Sequence, residues 1–167
     1  MTKGKEKIFF NPTKGSVSSS KMVKEIAEFV EEEPDSFYRL IIGTDSQARR
    51  KNGKAEIDYV TAVVAHRIGR GARYYWRKEK KYKIPVLRDK IYTETLMSLD
   101  AAQEIVPHFR EVISPTKYDF EIHIDVGPLG PTRDMIKEVV GMVNGSGYEA
   151  KTKPESWGAS SVADKHA

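Results

Sequence analysis

Cysteine is absent from the 167-residue chain, which excludes disulfides and thiolate zinc sites and is compatible with a reducing, cytoplasmic setting. No apolar stretch reaches the roughly 20 residues that a membrane-spanning helix needs. The basic N-terminus is not followed by an apolar segment, so we expect no secretory signal. A large net charge is also lacking: the value of +4 permits a polyanionic partner without requiring one.

The chain contains 39% hydrophobic residues, enough for the core of one domain that covers residues 1–167, with residues 1–35 as an N-terminal helical extension. Residues 11–20 are polar and loop-like, and the helix that follows starts near Lys21. The later elements are predicted at 37–44, 57–68, 73–84, 87–109, 119–126, 132–143, 148–152 and 157–167, with helices in the fourth, sixth and eighth places. Pro107 is expected to kink or end the longest helix. This order predicts a mixed α/β sheet whose first three strands form an antiparallel meander. Residues 49–54 are predicted as the hairpin turn between the first two of these strands, because an Asn-Gly pair tolerates the positive φ values that such turns need.

Two aspartates follow apolar runs that read as buried strands. Asp45 closes the run Leu40-Ile41-Ile42-Gly43-Thr44, and Asp125 closes Ile122-His123-Ile124. An acid at the end of a buried strand is costly without a counter-charge, and a bound divalent cation supplies one. The alternative is an ordinary turn-forming Asp, since Asp stabilises turns well.

Two further acids complete a set of four. Glu94 falls on the apolar stripe of the predicted 87–109 helix, where a carboxylate normally has a partner. The alternative is that Glu94 lies at the margin of the apolar stripe, where its carboxylate reaches water. Asp164 lies near the C-terminus, where a solvated acid in a frayed helix is common. Carboxylate oxygens suit Mg²⁺ or Mn²⁺ rather than zinc, so the set predicts a divalent-metal site.

A basic segment with interleaved aromatic residues covers residues 67–90 and includes the third predicted strand. Basic groups among aromatic rings suit phosphate contact with base stacking. The alternative is a solvated edge strand whose lysines deter edge-to-edge pairing. The candidate nucleic-acid-binding residues are Arg73, Tyr75, Arg77, Lys81, Lys83 and, near the C-terminus, Lys165.

The chain resembles the ribonuclease H-like superfamily and, more closely, an uncharacterised bacterial family of predicted ribonuclease H-related nucleases. The likeness rests on Ile42-Gly43-Thr44-Asp45-Ser46-Gln47, Ile124-Asp125-Val126-Gly127 and Ser161-Val162-Ala163-Asp164-Lys165-His166. It implies a five-stranded mixed sheet, with three antiparallel strands and then parallel ones, flanked by helices and here preceded by an extra N-terminal helix. It also implies that Asp45, Glu94, Asp125 and Asp164 are catalytic and bind two Mg²⁺ or Mn²⁺ ions.

The resemblance therefore implies a two-metal nuclease that hydrolyses RNA or DNA, with nucleic acid as its partner and no membrane association. A second reading is a non-catalytic nucleic-acid-binding module, because the same fold also serves proteins that do no phosphodiester chemistry. A third is a hydrolase of small phosphates, since two-metal chemistry does not require a polymer. The basic handle of some hybrid-cleaving enzymes is missing from this chain, so a preference for RNA–DNA hybrids does not follow.

Overall fold

The computed structural model describes residues 7–153 and 155–156, which form a mixed α/β fold with one sheet of seven strands and three α-helices. Two short 3₁₀ turns at Pro115–Lys117 and Arg133–Met135 lie between these elements. No helix in this part of the chain is long and apolar enough to cross a membrane. The elements, in chain order, are β1 (Ile8–Asn11), β2 (Gly15–Ser18), α1 (Ser19–Glu32), β3 (Tyr38–Lys51), β4 (Lys54–Arg67), β5 (Ala72–Lys81), α2 (Leu87–Val112), β6 (Tyr118–His123), α3 (Ile136–Gly145) and β7 (Glu149–Lys151).

The centre of the sheet is the predicted meander. The strand order is β2-β1-β5-β4-β3-β6-β7, with β3, β4 and β5 antiparallel and with β6 and β7 added in parallel. Asn52 and Gly53 form the tight turn between β3 and β4, with φ values of +52° and +77°. An Asn-Gly pair tolerates these positive values, so the predicted hairpin is confirmed.

The prediction of five strands was wrong, because residues 8–18 form an additional hairpin, β1–β2, at the edge of the sheet. Asn11 closes its turn by accepting hydrogen bonds on Oδ1 from the Thr13 and Lys14 backbone amides, both at 2.9 Å. Phe9 and Val17 are the buried apolar side chains of the hairpin. Each strand has only four residues, which is too short for an alternating pattern to stand out among polar neighbours.

Pro107 does not end α2, which continues to Val112. A proline in a helix interior removes one backbone hydrogen bond. Ile105, Val106 and Phe109 are buried on either side of it, so packing of this last stretch against the core offsets the loss.

The main core lies between the three helices and one face of the sheet. It is built from apolar residues of α1, α2 and α3 packed on alternate positions of β3, β4 and β6. A smaller group of buried residues, Ile41, Val60, Ala62 and Val64, lies on the opposite face. Because alternate residues of a strand point to opposite faces, the helix-covered face includes Thr44 and Ser46, two neighbours of Asp45.

Candidate functional site

Asp45 and Asp125 lie at the same end of the parallel β3–β6 pair. The β3–β6 pairing ends at Gly43 opposite His123. Asp45 follows two residues later on β3, and Asp125 follows two residues later in a bend just beyond the end of β6. Paired strands are about 4.8 Å apart, so this register places both carboxylates at one end of the parallel pair. Ligand sites of open α/β sheets form where such strands end.

Asp45 does not end its strand, contrary to the expectation from the sequence. β3 continues to Lys51, and Asp45 is paired with Val60 on β4. What ends near Asp45 is the neighbouring strand β6, so one side of β3 becomes open there. The half-buried Asp45 carboxylate accepts a hydrogen bond from the Ser46 backbone amide at 2.9 Å.

Glu94 is held against β3 by a layer of buried hydroxyl groups. Ser46 Oγ donates to Glu94 Oε1 at 2.6 Å. One helical turn further along α2, Ser98 Oγ is 2.8 Å from Thr44 Oγ1. These two contacts fix the rotation of α2 over the strand and hold Glu94 against Ser46, the residue that follows Asp45. Only 4% of Glu94 is exposed, in agreement with its predicted position on the apolar stripe.

The three carboxylates influence one another electrostatically. The pKa of Glu94 is raised to about 8, chiefly by burial and in addition by the negative charges of Asp45 and Asp125, which outweigh the opposing effects of the Ser46 hydrogen bond and of Lys90. Each of these two aspartates therefore lies near enough to Glu94 to disfavour its ionised form. Like charges gathered in this way favour a bound cation, because a cation relieves their repulsion.

Lys153 supplies a positive charge to the site. Its Nζ is 2.7 Å from Asp125 Oδ1. The hydrogen bond to Asp125 raises the pKa of the Lys153 ammonium, and the charges of Asp125, Asp45 and Glu94 raise it as well. The backbone amide of Lys153 also donates to the Val126 carbonyl at 2.8 Å, which fixes the lysine beside the loop that carries Asp125.

Gly127 leaves room for Lys153. A Cβ atom at position 127 would lie 3.0 Å from Lys153 Cβ, closer than real Cβ atoms usually come. Glycine has no Cβ atom, so another group can come close to its backbone. The structure identifies the approaching group as Lys153, which no local sequence pattern marks.

The chemistry of the three carboxylates fits Mg²⁺ or Mn²⁺, the ions that the superfamily commonly uses, since all the ligand atoms on offer are oxygen. The negative charges of Asp45 and Asp125 contribute, after burial, to the raised pKa of Glu94, and a bound cation would oppose that contribution. Among residues 7–153 and 155–156, however, no three His, Cys, Asp or Glu side chains are already arranged as a metal-binding group. Ser46 and Lys153 hold the carboxylates of Glu94 and Asp125 instead.

Two of the predicted site residues, Asp164 and Lys165, lie outside the described residues, as does the predicted helix over 157–167. Of the four predicted acids, the structure gathers Asp45, Glu94 and Asp125 at one end of the β3–β6 pair, close enough for both aspartates to act on the charge of Glu94. Thr44, Ser98 and Lys153 are added by the structure.

The candidate nucleic-acid-binding residues of β5 share one face of the strand, and the helices cover the first part of that face. Arg77 pairs with Glu104 of α2 at 3.2 Å, and the Arg73 guanidinium lies 5.3 Å from the centre of the Phe29 ring of α1. Tyr75 is only 2% exposed and donates a hydrogen bond to Glu25 at 3.2 Å, so its ring is not placed to stack on a base. Lys81 and Lys83 lie beyond the helices and are exposed.

A basic hairpin tip extends past the acids. We use this name for residues 49–58 of the β3–β4 hairpin together with the adjoining residues 78–83. The tip contains eight basic residues against the acidic Glu56, Asp58 and Glu79. Arg49 and Lys80 pair with Asp58, whose side chain is fully buried. β3 continues six residues beyond Asp45, so the tip reaches about 20 Å from the acids at roughly 3.4 Å per residue.

The fold and the acids together define a mixed α/β protein with carboxylates at the end of its parallel strands. Residues 21–167 match the family described as Ribonuclease H-like, so the chain belongs to the ribonuclease H-like family. It is 33% identical to an uncharacterised protein, YkuK, of Bacillus subtilis strain 168, over 171 residues that cover 95% of each chain. No solved structure is significantly similar to the chain.

Family membership indicates a nuclease or another nucleic-acid-related function. It agrees with the resemblance drawn from the motifs around Asp45, Asp125 and Asp164. The relative is itself uncharacterised, so its similarity extends the family likeness over almost the whole chain and assigns no reaction.

Proposed function

We propose that the protein is a divalent-metal-dependent nuclease that hydrolyses phosphodiester bonds of RNA or DNA. The observation that carries the proposal is the gathering of three acids at one end of the parallel β3–β6 pair. The charges of Asp45 and Asp125 both act on Glu94, which Ser46 holds against β3. Membership of the ribonuclease H-like family supports it, because the resemblance to that superfamily implies that these acids are catalytic.

Each acid has a proposed role. Asp45, Glu94 and Asp125 would hold Mg²⁺ or Mn²⁺, with Asp164 as the fourth ligand that the resemblance assigns. When bound, two such ions supply charge stabilisation of the phosphate and a more acidic water molecule. Ser46 keeps the Glu94 carboxylate oriented through its 2.6 Å hydrogen bond. Burial of Glu94 excludes water from the inner side of the site.

The basic hairpin tip is the proposed contact surface for the nucleic-acid backbone. It includes Lys81 and Lys83 from the sequence prediction, whereas Arg73 and Arg77 are engaged under the helices. A polyanion lying across the acids has to be held by positive charge outside the acid cluster, because the cluster itself is negative. The tip extends the strand that carries Asp45 and so continues directly from the site.

Neutralising two lysines of the tip is expected to weaken nucleic-acid binding severalfold. Lys51 and Lys54 flank the β3–β4 turn and are exposed, so Lys51→Gln with Lys54→Gln should leave the fold intact. Each lost phosphate contact should reduce the slope of log binding constant against log salt by about 0.7–0.9. Fluorescence anisotropy with a labelled oligonucleotide, measured across salt concentrations in EDTA, checks this. Lys21→Gln with Lys24→Gln, on exposed positions of α1, is the matched control. Equal losses in both double variants would contradict the assignment.

One observation favours a second candidate, a nucleic-acid-binding module without turnover. Lys153 already neutralises Asp125, and among the described residues no three-ligand metal group is preformed. In that case the basic hairpin tip would be the working surface, and the acids would bind one ion or none.

A cleavage assay separates the two candidates. Labelled single-stranded RNA, single-stranded DNA, duplex DNA and RNA–DNA hybrid are incubated with the protein in Mn²⁺, in Mg²⁺ and in EDTA. We expect metal-dependent shortening of at least one substrate and none in EDTA. Salt-sensitive binding without shortening of any substrate would reject the nuclease and support the binding module.

A further inference from the structure

Lys153 is a charged group of the site that neither the motifs nor the family likeness assigns. Its ammonium lies against Asp125, while 56% of its side chain is exposed. The lysine is thus anchored near its backbone and not by packing of its ammonium group. Its backbone amide donates a hydrogen bond to the Val126 carbonyl, and its Cβ atom lies close to Gly127. An ammonium on a flexible stem can leave the carboxylate without disturbing the core.

We infer that Lys153 is a built-in counter-ion that occupies Asp125 in the metal-free protein and gives way when a divalent ion binds. The inference rests on the proposed function, because it takes Asp125 as a metal ligand. A single ammonium and a divalent ion compete for the same carboxylate, and their positive charges repel each other across the site. Lys153 therefore lowers metal affinity while stabilising the gathered acids before metal arrives.

The position of Lys153 relative to all three acids supports this role. The lysine feels the charges of Asp45 and Glu94 as well as that of Asp125, so it offsets the repulsion of the whole cluster. Neighbouring Lys151 differs, because its ammonium pairs with Glu149 at 3.0 Å and with Glu155 at 4.0 Å. The two lysines thus form a matched pair for comparison: Lys153 contacts a carboxylate of the candidate site, and Lys151 pairs with glutamates outside it.

The test is Lys153→Met, which keeps the length of the side chain and removes its charge. Isothermal titration with Mn²⁺ alone should show tighter binding, on the order of tenfold, the size of effect typical of groups that contact metal ligands. Thermal unfolding in EDTA should show a lower Tm than the wild type. In saturating Mn²⁺ that difference should vanish, since the contact with Asp125 contributes only in the metal-free state.

Two control variants keep the test specific. Lys153→Arg retains the charge and should keep the wild-type affinity and Tm. Lys151→Met removes a nearby charge that does not contact Asp125 and should change Mn²⁺ affinity far less than Lys153→Met does. Both variants also check that any change does not arise from a general loss of folding.

The outcomes separate this inference from the proposed function. If Lys153→Met binds Mn²⁺ as the wild type does, or more weakly, Lys153 is not a competitor and only this inference is overturned. A Tm loss of equal size with and without Mn²⁺ has the same meaning, because it shows that the ion pair persists with metal bound. If the wild type binds no Mn²⁺, both the inference and the proposed metal-dependent function are rejected.

Discussion

Replacing Asp45 by asparagine is expected to abolish metal-dependent hydrolysis, with a loss of about a thousandfold or more. The proposed ions supply several kcal/mol of charge stabilisation, and roughly 4 kcal/mol corresponds to a thousandfold in rate. Asparagine retains the size of the side chain and an oxygen that can accept the hydrogen bond from the Ser46 amide. It removes the negative charge, so the fold should persist while metal binding fails. Cleavage rates in Mn²⁺ and circular dichroism spectra of both proteins check the two parts.

Asp125→Asn should give the same loss of cleavage. It tests the site independently of Asp45, because Asp125 lies in the loop that follows β6. Asp119→Asn is the matched control, because Asp119 is exposed on β6, ahead of the point where that strand ends. Full cleavage activity in both the Asp45 and Asp125 variants would contradict the assignment of these acids. A comparable loss in the Asp119 variant would show that the effect is not specific to the site.

The metal-free protein should become less stable as the pH rises from about 4.5 to about 8, because Glu94 is buried. The pKa of Glu94 is raised to about 8, against an ordinary value of 4.5 in the unfolded chain. Within this window the unfolded chain has released a proton that the folded protein still holds, so raising the pH favours unfolding. The total loss is on the order of 5 kcal/mol, and it is complete once the pH exceeds the folded pKa.

Glu94→Gln should remove most of this pH dependence. Glutamine keeps the carbonyl oxygen that accepts the bond from Ser46, and it carries no ionisable group. The free energy of unfolding, measured by urea denaturation in EDTA at pH 6 and pH 8.5, should fall far less for this variant than for the wild type. Glu111→Gln, on an exposed position of the same helix, should leave the wild-type dependence unchanged. A wild type whose stability is the same at both pH values would contradict the account of Glu94.

The central part of the fold was predictable because its signals are local. Asn52-Gly53 marked the tight turn between the two longest strands, and the turn has the positive φ values that this pair favours. The position of Glu94 followed from helical periodicity alone, since the apolar stripe of α2 passes through it. Both predictions depend only on residues that are close to one another in the sequence.

The elements that were predicted wrongly depend on contacts between distant parts of the chain. β1 exists as part of the sheet because Phe10 pairs with Trp76 of β5. α2 passes through Pro107 because buried residues around it pack on the core. β3 extends beyond Asp45 because β4 continues to pair with it. In each case tertiary packing overrides a local signal for a loop or a break.

The candidate site also contains residues that the sequence predicts and residues that only the fold identifies. Asp45, Glu94 and Asp125 could be selected because an acid in an apolar context is costly, and that cost is visible in the sequence. Lys153 is an ordinary surface residue by sequence, and only the fold brings it to Asp125. Tyr75 was selected from composition, yet strand alternation and the helices over β5 place it in the core. Which face of a strand the helices cover is not encoded in the strand itself.

The most direct measurement of the central claim is an anomalous diffraction map from a crystal soaked in Mn²⁺. We predict two Mn²⁺ ions at the end of the β3–β6 pair, with carboxylate oxygens of Asp45, Glu94 and Asp125 among their ligands and with the Lys153 ammonium displaced from Asp125. A map without anomalous density between these three carboxylates, at Mn²⁺ concentrations that saturate other metal-dependent nucleases, would contradict the account.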